Sequence, residues 1–220
     1  RLIILTGKAQ SGKDSSCLFA KSLIENSGYS AKIYAFADPL KQLCCDLFNT
    51  PRELCWGNNQ EKDTLTHYRW ADFPLPISEI NRIMKYECGL KNSILSDNVT
   101  IREMLQVWGT NIFRLYEPDC WVNATIGSIN KESPDFAIIS DARFPNEIEL
   151  LSNFTPTVIR LLRNPLNSNH KSETALDDYD FSRCGRVVTV DNADISIDEK
   201  NIKLEKVLHE VLQNENSYYI

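Results

Sequence analysis

The chain has 220 residues, 42% of them hydrophobic and 25% charged, with a formal net charge of −6. That length and balance describe a globular protein with a sizeable core, and exclude a disordered or fibrous chain. The acidic excess argues against a broad basic face for duplex nucleic acid, so an anion site here must be a local cluster of Lys and Arg. No apolar run is long enough to span a bilayer and no signal peptide is apparent. The seven cysteines, at positions 17, 44, 45, 55, 88, 120 and 184, form no Cys-x-x-Cys pair. Together these features predict a reduced, intracellular, cytoplasmic protein that takes neither a membrane nor a stable nucleic acid as partner.

The chain opens on an apolar, strand-like run, Leu2 to Thr6, followed by Gly7-Lys8-Ala9-Gln10-Ser11-Gly12-Lys13-Asp14-Ser15. Leu18, Phe19, Leu23 and Ile24 then recur at helical spacing. A Gly-x4-Gly-Lys loop between a strand and a helix is the context of a phosphate-binding P-loop. Its glycines let the backbone curl so that N–H groups face an anion, and the helix adds the positive end of its dipole. Lys13 supplies a point charge for the β- and γ-phosphates. Gly7, Lys8, Ser11, Gly12, Lys13, Asp14 and Ser15 are therefore the candidate ATP contacts. The strict motif has Ser or Thr directly after the lysine, with its hydroxyl on Mg2+. Asp14 stands there instead, and the hydroxyl follows at Ser15, the candidate Mg2+ ligand, directly or through water. Asp14 either needs a cation between itself and the phosphates or only favours the helix N-terminus.

Ala31–Ala37 reads as a second strand, with Asp38 as N-cap and Pro39 in the first turn of a helix to about Phe48. From 50 to 98 the composition turns polar and is broken by Pro and Gly. This is an inserted, partly helical region, with a short helix near 78–88, of the kind that can cover a site. Thr100-Ile-Arg-Glu103 is a capping box opening a helix through about Tyr116. On it Ile101, Leu105, Trp108, Ile112 and Leu115 share one face, while Arg102, Gln106 and Arg114 ride elsewhere. A second helix covers about 118–129. Phe136–Ser140 is a third strand, ending at Asp141-Ala-Arg-Phe-Pro-Asn-Glu147, and a helix runs on to Ser152. Thr157–Leu162 is the fourth strand and precedes Arg163. A polar, lid-like segment occupies about 164–186, Val187–Val190 is the fifth strand, and an amphipathic helix closes the chain over 199–214.

Five apolar strands, mostly separated by helices, predict an α/β fold with a five-stranded doubly wound parallel sheet. The whole of 1–220 is expected to be one domain carrying the insertion and the lid. Ligands of such sheets bind at the carboxyl ends of the strands, where several of these clusters fall. Asp141 suits a carboxylate that orients Mg2+, or a turn or helix cap. Arg143 suits a bidentate phosphate clamp, or an ion pair with Glu147 or Glu149. Lys41, Arg102 and Arg114 are candidates for a second phosphate-bearing substrate, and Gln106 and Trp121 could meet a base. Such a pair of anion sites suggests phosphoryl transfer, with Lys13, Asp141, Arg143 and Mg2+ in the catalytic roles and Arg163 or Lys171 on a closing lid.

The ordered set Gly7–Ser15, Phe36-Ala-Asp-Pro-Leu-Lys41, Arg102 with Leu105-Gln-Val-Trp-Gly-Thr110, Pro118-Asp-Cys-Trp-Val122, Asp141–Glu147 and His170-Lys-Ser-Glu173 resembles the phage-type deoxynucleoside monophosphate kinases. The resemblance spans nearly the whole chain except 50–98. It implies transfer of the γ-phosphate of ATP to a deoxynucleoside monophosphate (dNMP). It also implies a P-loop that holds ATP, with Arg163 near the adenine. For the dNMP it implies a pocket of Asp38, Lys41, Arg69, Trp121, Asp141, Arg143 and Glu147. Family members are similar in acting as homodimers inside a host cell. Two other readings fit parts of the sequence: a phosphomevalonate kinase-like enzyme, whose P-loop is also Gly-x4-Gly-Lys-Asp, and a non-catalytic P-loop binding protein of viral origin.

Overall fold

The computed structural model describes residues 1–90, 94–165 and 174–213. The His170-Lys-Ser-Glu173 motif, including Lys171 of the expected lid, lies outside the described residues. Seven strands are present among them: β1 (Leu2–Gly7), β2 (Ala31–Tyr34), β3 (Leu65–Arg69), β4 (Asn98–Thr100), β5 (Phe136–Ile139), β6 (Thr157–Leu161) and β7 (Arg186–Val190). The chain forms two compact units, Arg1–Phe36 with Val122–Ile220, and Ala37–Trp121.

The first unit holds a five-stranded sheet in the order β2-β5-β1-β6-β7, with every pairing parallel. β1 and β5 read as unbroken apolar runs because they are central and covered on both faces; Leu2–Thr6 and Phe136–Ile139 are buried throughout. β7, at the edge, alternates between more and less exposed positions. Helix α1 (Lys13–Asn26) presents Cys17, Ala20 and Ile24 to a core shared with Leu204, Val207, Leu208 and Val211 of the C-terminal helix, Ile197–Gln213. The chain leaves β1 toward β2 and β5 on one side, then crosses to β6 and β7 on the other. That reversal opens a crevice at the carboxyl end of β1, the usual ligand position in such sheets.

The second unit is mostly helical, from Ala37–Phe48 through short turns at Arg52–Cys55 and Asn59–Lys62 to a helix at Ile101–Gln106. Three sequence expectations change here. The 50–98 stretch is not only helix and loop, because β3 pairs antiparallel with β4. The face expected from Ile101 to Leu115 is broken: Met104, Val107 and Ile112 are buried, whereas Leu115 is 68% exposed. The cause is a π-helical stretch at Val107–Phe113, which stacks residue i over i+5 rather than i+4 and so aligns Val107 with Ile112. Gly109 in that stretch meets Leu40 so closely that a Cβ would lie 2.5 Å from its Cδ2. Finally, helix 37–48 begins at Ala37, ahead of the expected start at Pro39, so Asp38 sits inside its first turn rather than capping it. The capping box does form, with Glu103 N–H donating to Thr100 Oγ1 at 3.2 Å and Thr100 N–H to Glu103 Oε2 at 2.7 Å. No helix among the described residues is long and apolar enough to cross a membrane.

Candidate active site

The loop between β1 and α1 is shaped by its glycines. Gly7 has φ +151°, and a Cβ there would lie 2.7 Å from the Leu161 carbonyl oxygen and 2.8 Å from Ser11 Oγ. Gly12 takes the left-handed conformation, φ +93°, and caps α1. Inside the curl, Lys13 is 7% exposed and its Nζ donates to the carbonyls of Gly7 and Lys8, each at 2.7 Å. Ser11 Oγ is fully buried with no hydrogen-bond partner among the described residues. An orphaned hydroxyl and a buried ammonium in a glycine-shaped loop suit a phosphate group, which would accept from both. Asp14 is exposed in the first turn of α1. Ser15 Oγ donates to the Gly12 carbonyl at 3.0 Å and accepts from Lys200 Nζ at 2.7 Å, so a cation would take its remaining lone pair or displace the lysine.

Asp141 follows β5, and its Oδ1 accepts from Phe36 N–H at 2.7 Å, which fixes the carboxylate beside the end of β2. Its charge acts on Cys17 of α1, whose thiol is pushed up to about 12. Burial is the main cause; Asp14 and Asp141 add to it, and Lys13 and Lys200 oppose it. Arg143 lines a cleft of about 100 Å³ with Lys8, Arg160 and Asp177, at the carboxyl ends of β1, β5 and β6. Lys8 pairs with Asp177 in that cleft. Glu147 is buried and serves the backbone: its Oε2 accepts from Arg143 N–H at 2.7 Å and Phe144 N–H at 3.1 Å, closing the start of helix Pro145–Ser152. Arg163 is exposed, with its N–H held by Asn192 Oδ1 at 3.0 Å.

The other predicted residues lie in the second unit. Asp38 accepts from Trp56 Nε1 at 2.9 Å and lies 3.4 Å from Lys41 Nζ, which sits over the Trp56 ring. Arg102 pairs with Asp63 at 2.8 Å and also reaches the Asn59 carbonyl. Arg69 is bound to Asp72 at 3.0 Å at the end of β3. Gln106 is half-buried at the end of helix 101–106, and Arg114 follows the π-helical stretch. Trp121 is 7% exposed, its indole N–H donates to the Gly109 carbonyl at 3.0 Å, and its ring meets Phe113 edge-on. Its hydrogen-bonding capacity is therefore already used by the backbone.

Four residues escape the sequence reading. Arg160 lies on β6 opposite Thr6 and lines the Arg143 cleft. Lys62 has its ammonium held below the usual range by burial and then by Lys41 and Arg102, which makes these three one basic cluster. Asn192 Nδ2 donates to the Ser11 carbonyl at 2.7 Å, and Lys200 Nζ donates to Ser15 Oγ at 2.7 Å. Arg160 alone carried a sequence signal, a charge inside an apolar strand.

A glycine-shaped loop after the first strand of a parallel sheet, a lysine folded into it and an acid at the end of the neighbouring strand define the P-loop kinase fold. Relatives narrow this. The chain is 31% identical over 180 aligned residues to the deoxynucleoside-5'-monophosphate kinase of Escherichia phage T5, covering 68% of this chain and 71% of the phage protein. It is 29% identical over 189 residues to an Acanthamoeba polyphaga mimivirus protein provisionally named a deoxynucleotide monophosphate kinase, covering 80% and 81% of the two chains. No protein-family model matches. The chain belongs to the deoxynucleoside monophosphate kinase family of phosphotransferases.

Proposed function

We propose that this protein transfers the γ-phosphate of ATP to a deoxynucleoside monophosphate, giving the diphosphate and ADP. The observation that carries the reading is the buried Lys13 in its glycine-shaped loop, in a chain of this family. An oxygen of the acceptor phosphate attacks the γ-phosphorus as its bond to the bridging oxygen breaks, and that oxygen departs with ADP. Such transfer needs alignment and dispersed positive charge rather than a strong base. Lys13 leaves the Gly7 and Lys8 carbonyls to donate to the transferring group, and Arg143 and Arg160 add guanidinium charge at the cleft. Asp141 is held by the Phe36 N–H as an acceptor for a hydrated cation. Mg2+, when bound, neutralises phosphate charge; Ser15 Oγ and Asp141 are the groups suited to hold it, directly or through water. Lys41, Lys62 and Arg102 are the cations that suit the acceptor phosphate, within the second unit.

The test is ADP release from Mg-ATP with a panel of dNMPs, NMPs and phosphomevalonate, comparing the parent with Lys13→Ala. Turnover with one or more dNMPs is expected, falling by about 10²–10³-fold in the variant, the usual effect of removing one preorganised charge at a reacting centre. Turnover with phosphomevalonate alone would transfer the protein to a different substrate class. Silence across the panel with ATP still bound would leave a binding protein.

A further inference from the structure

Lys200 lies on the C-terminal helix, yet its ammonium touches the first turn of α1. Its Nζ donates to Ser15 Oγ at 2.7 Å and sits 3.7 Å from where a Gly12 Cβ would be. The residue is 4% exposed. Among the described residues no carboxylate pairs with it, and a neutral hydroxyl is the one acceptor offered to its three N–H donors. Burying an ammonium with so little compensation is costly unless an anion completes the site. A neighbouring positive charge raises that cost. Burial and then Arg163 both hold the Lys200 ammonium below the ordinary lysine range.

The neighbouring groups also lack an anion. Ser11 Oγ, buried in the same loop, has no partner among the described residues. Asn192, 3% exposed, holds the Ser11 carbonyl with its amide nitrogen and the Arg163 N–H with its oxygen. The connection from β7 to the C-terminal helix is thus fastened to the phosphate loop at Ser11 and Ser15. Lys13 approaches from within the loop and Lys200 from outside it, so the start of α1 lies between two buried ammonium groups.

We infer that Lys200 is a phosphate-binding residue for the donor nucleotide, gripping the phosphate seated at the Ser15 end of the loop. This rests on the reading of residues 7–15 as the nucleotide-phosphate site. Without nucleotide, Lys200 rests on Ser15 Oγ, the hydroxyl suited to Mg2+; when ATP arrives it exchanges that hydroxyl for phosphate oxygen. The protein should therefore bind ATP appreciably without divalent metal, because a lysine already stands where the metal's charge is needed.

The experiment is calorimetric titration of ATP into the intact protein in EDTA, for the parent, Lys200→Gln and Lys200→Arg, with thermal melting of each. Gln keeps a donor for Ser15 Oγ but removes the charge, which separates anchoring from phosphate binding. Lys200→Gln is expected to weaken metal-free ATP binding by about 10- to 100-fold, the worth of one charge-assisted hydrogen bond. Lys200→Arg is expected to stay within a few-fold of the parent. An unchanged dissociation constant in a folded Lys200→Gln protein overturns the inference and leaves Lys200 a tether. If Lys200→Gln does not fold, Lys200→Arg decides between the two roles. Arginine reaches phosphate but crowds a buried tether, so parental melting with parental ATP affinity supports the inference. Lost melting with parental affinity overturns it. A parent that binds ATP but phosphorylates no dNMP removes the proposed reaction and leaves this inference standing, whereas a parent that binds no ATP removes both.

Discussion

Gly7 shows how one position can carry a whole loop. Its φ of +151° lies where side chains are rarely tolerated, and a Cβ would press on the Leu161 carbonyl, which is backbone and cannot swing away. Gly7→Ala is therefore expected to cost about 1–3 kcal/mol of strain, spread between loop shape and global stability. Urea unfolding gives the global share, and ATP calorimetry should show weakening of up to about 100-fold for the rest. Parental affinity with parental stability would mean the loop can relax around a methyl group. The glycine and Lys13 are legible in the sequence because curl and charge are local properties of a short string. Lys200 is not, because its partner Ser15 is 185 residues away and only the packing of two helices brings them together. The same holds for Lys62, whose meaning comes from Lys41 and Arg102 beside it.

At the scale of elements, the parallel strands were readable because strands buried on both faces leave unbroken apolar runs such as Phe136–Ile139. β3 and β4 were not, because short strands about thirty residues apart with half-exposed side chains leave neither run nor clean alternation. The π-helical stretch has no sequence signature either. Leu115 fits the α-helical face on paper and is exposed because the register shifts before it. Glu147 is a different lesson, since the resemblance implies a substrate contact while the structure gives its carboxylate two backbone donors. A buried acceptor that satisfies the start of a helix has measurable structural worth. Glu147→Ala is expected to lose about 1–3 kcal/mol of unfolding free energy, by urea titration, with Glu147→Gln losing less because its amide oxygen can still accept. Because Arg143 is tied to Glu147 through its own N–H, the alanine variant should also lower kcat/KM for the acceptor. A loss confined to kcat/KM, with stability intact, would assign Glu147 to substrate rather than to the helix.

At the scale of the molecule, the acidic net charge encloses cations gathered at two places, the loop with its cleft and the Lys41–Lys62–Arg102 cluster, one in each compact unit. The cysteines report on these units separately, with Cys17 in the first and Cys44 and Cys55 in the second. All three are buried, and their thiols are pushed up to about 12, chiefly by burial. An acid whose folded pKa is raised favours the protonated fold. That contribution is present below the ordinary thiol range and is lost as pH climbs from there toward the folded values. Labelling near neutral pH should therefore proceed only through opening of the fold, at a rate set by the opening free energy of each unit. ATP at a hundredfold excess over its dissociation constant stabilises the state that binds it by about 2.7 kcal/mol, or about 100-fold in the open population. Labelling followed by mass spectrometry should then show Cys17 slowing by about that factor, while Cys44 and Cys55 keep their rates. Adding a dNMP alone should reverse the pattern if Lys41, Lys62 and Arg102 hold the acceptor phosphate. Equal slowing of all three by ATP would mean that the two units open as one, and binding of each nucleotide would then have to be traced by substitution instead.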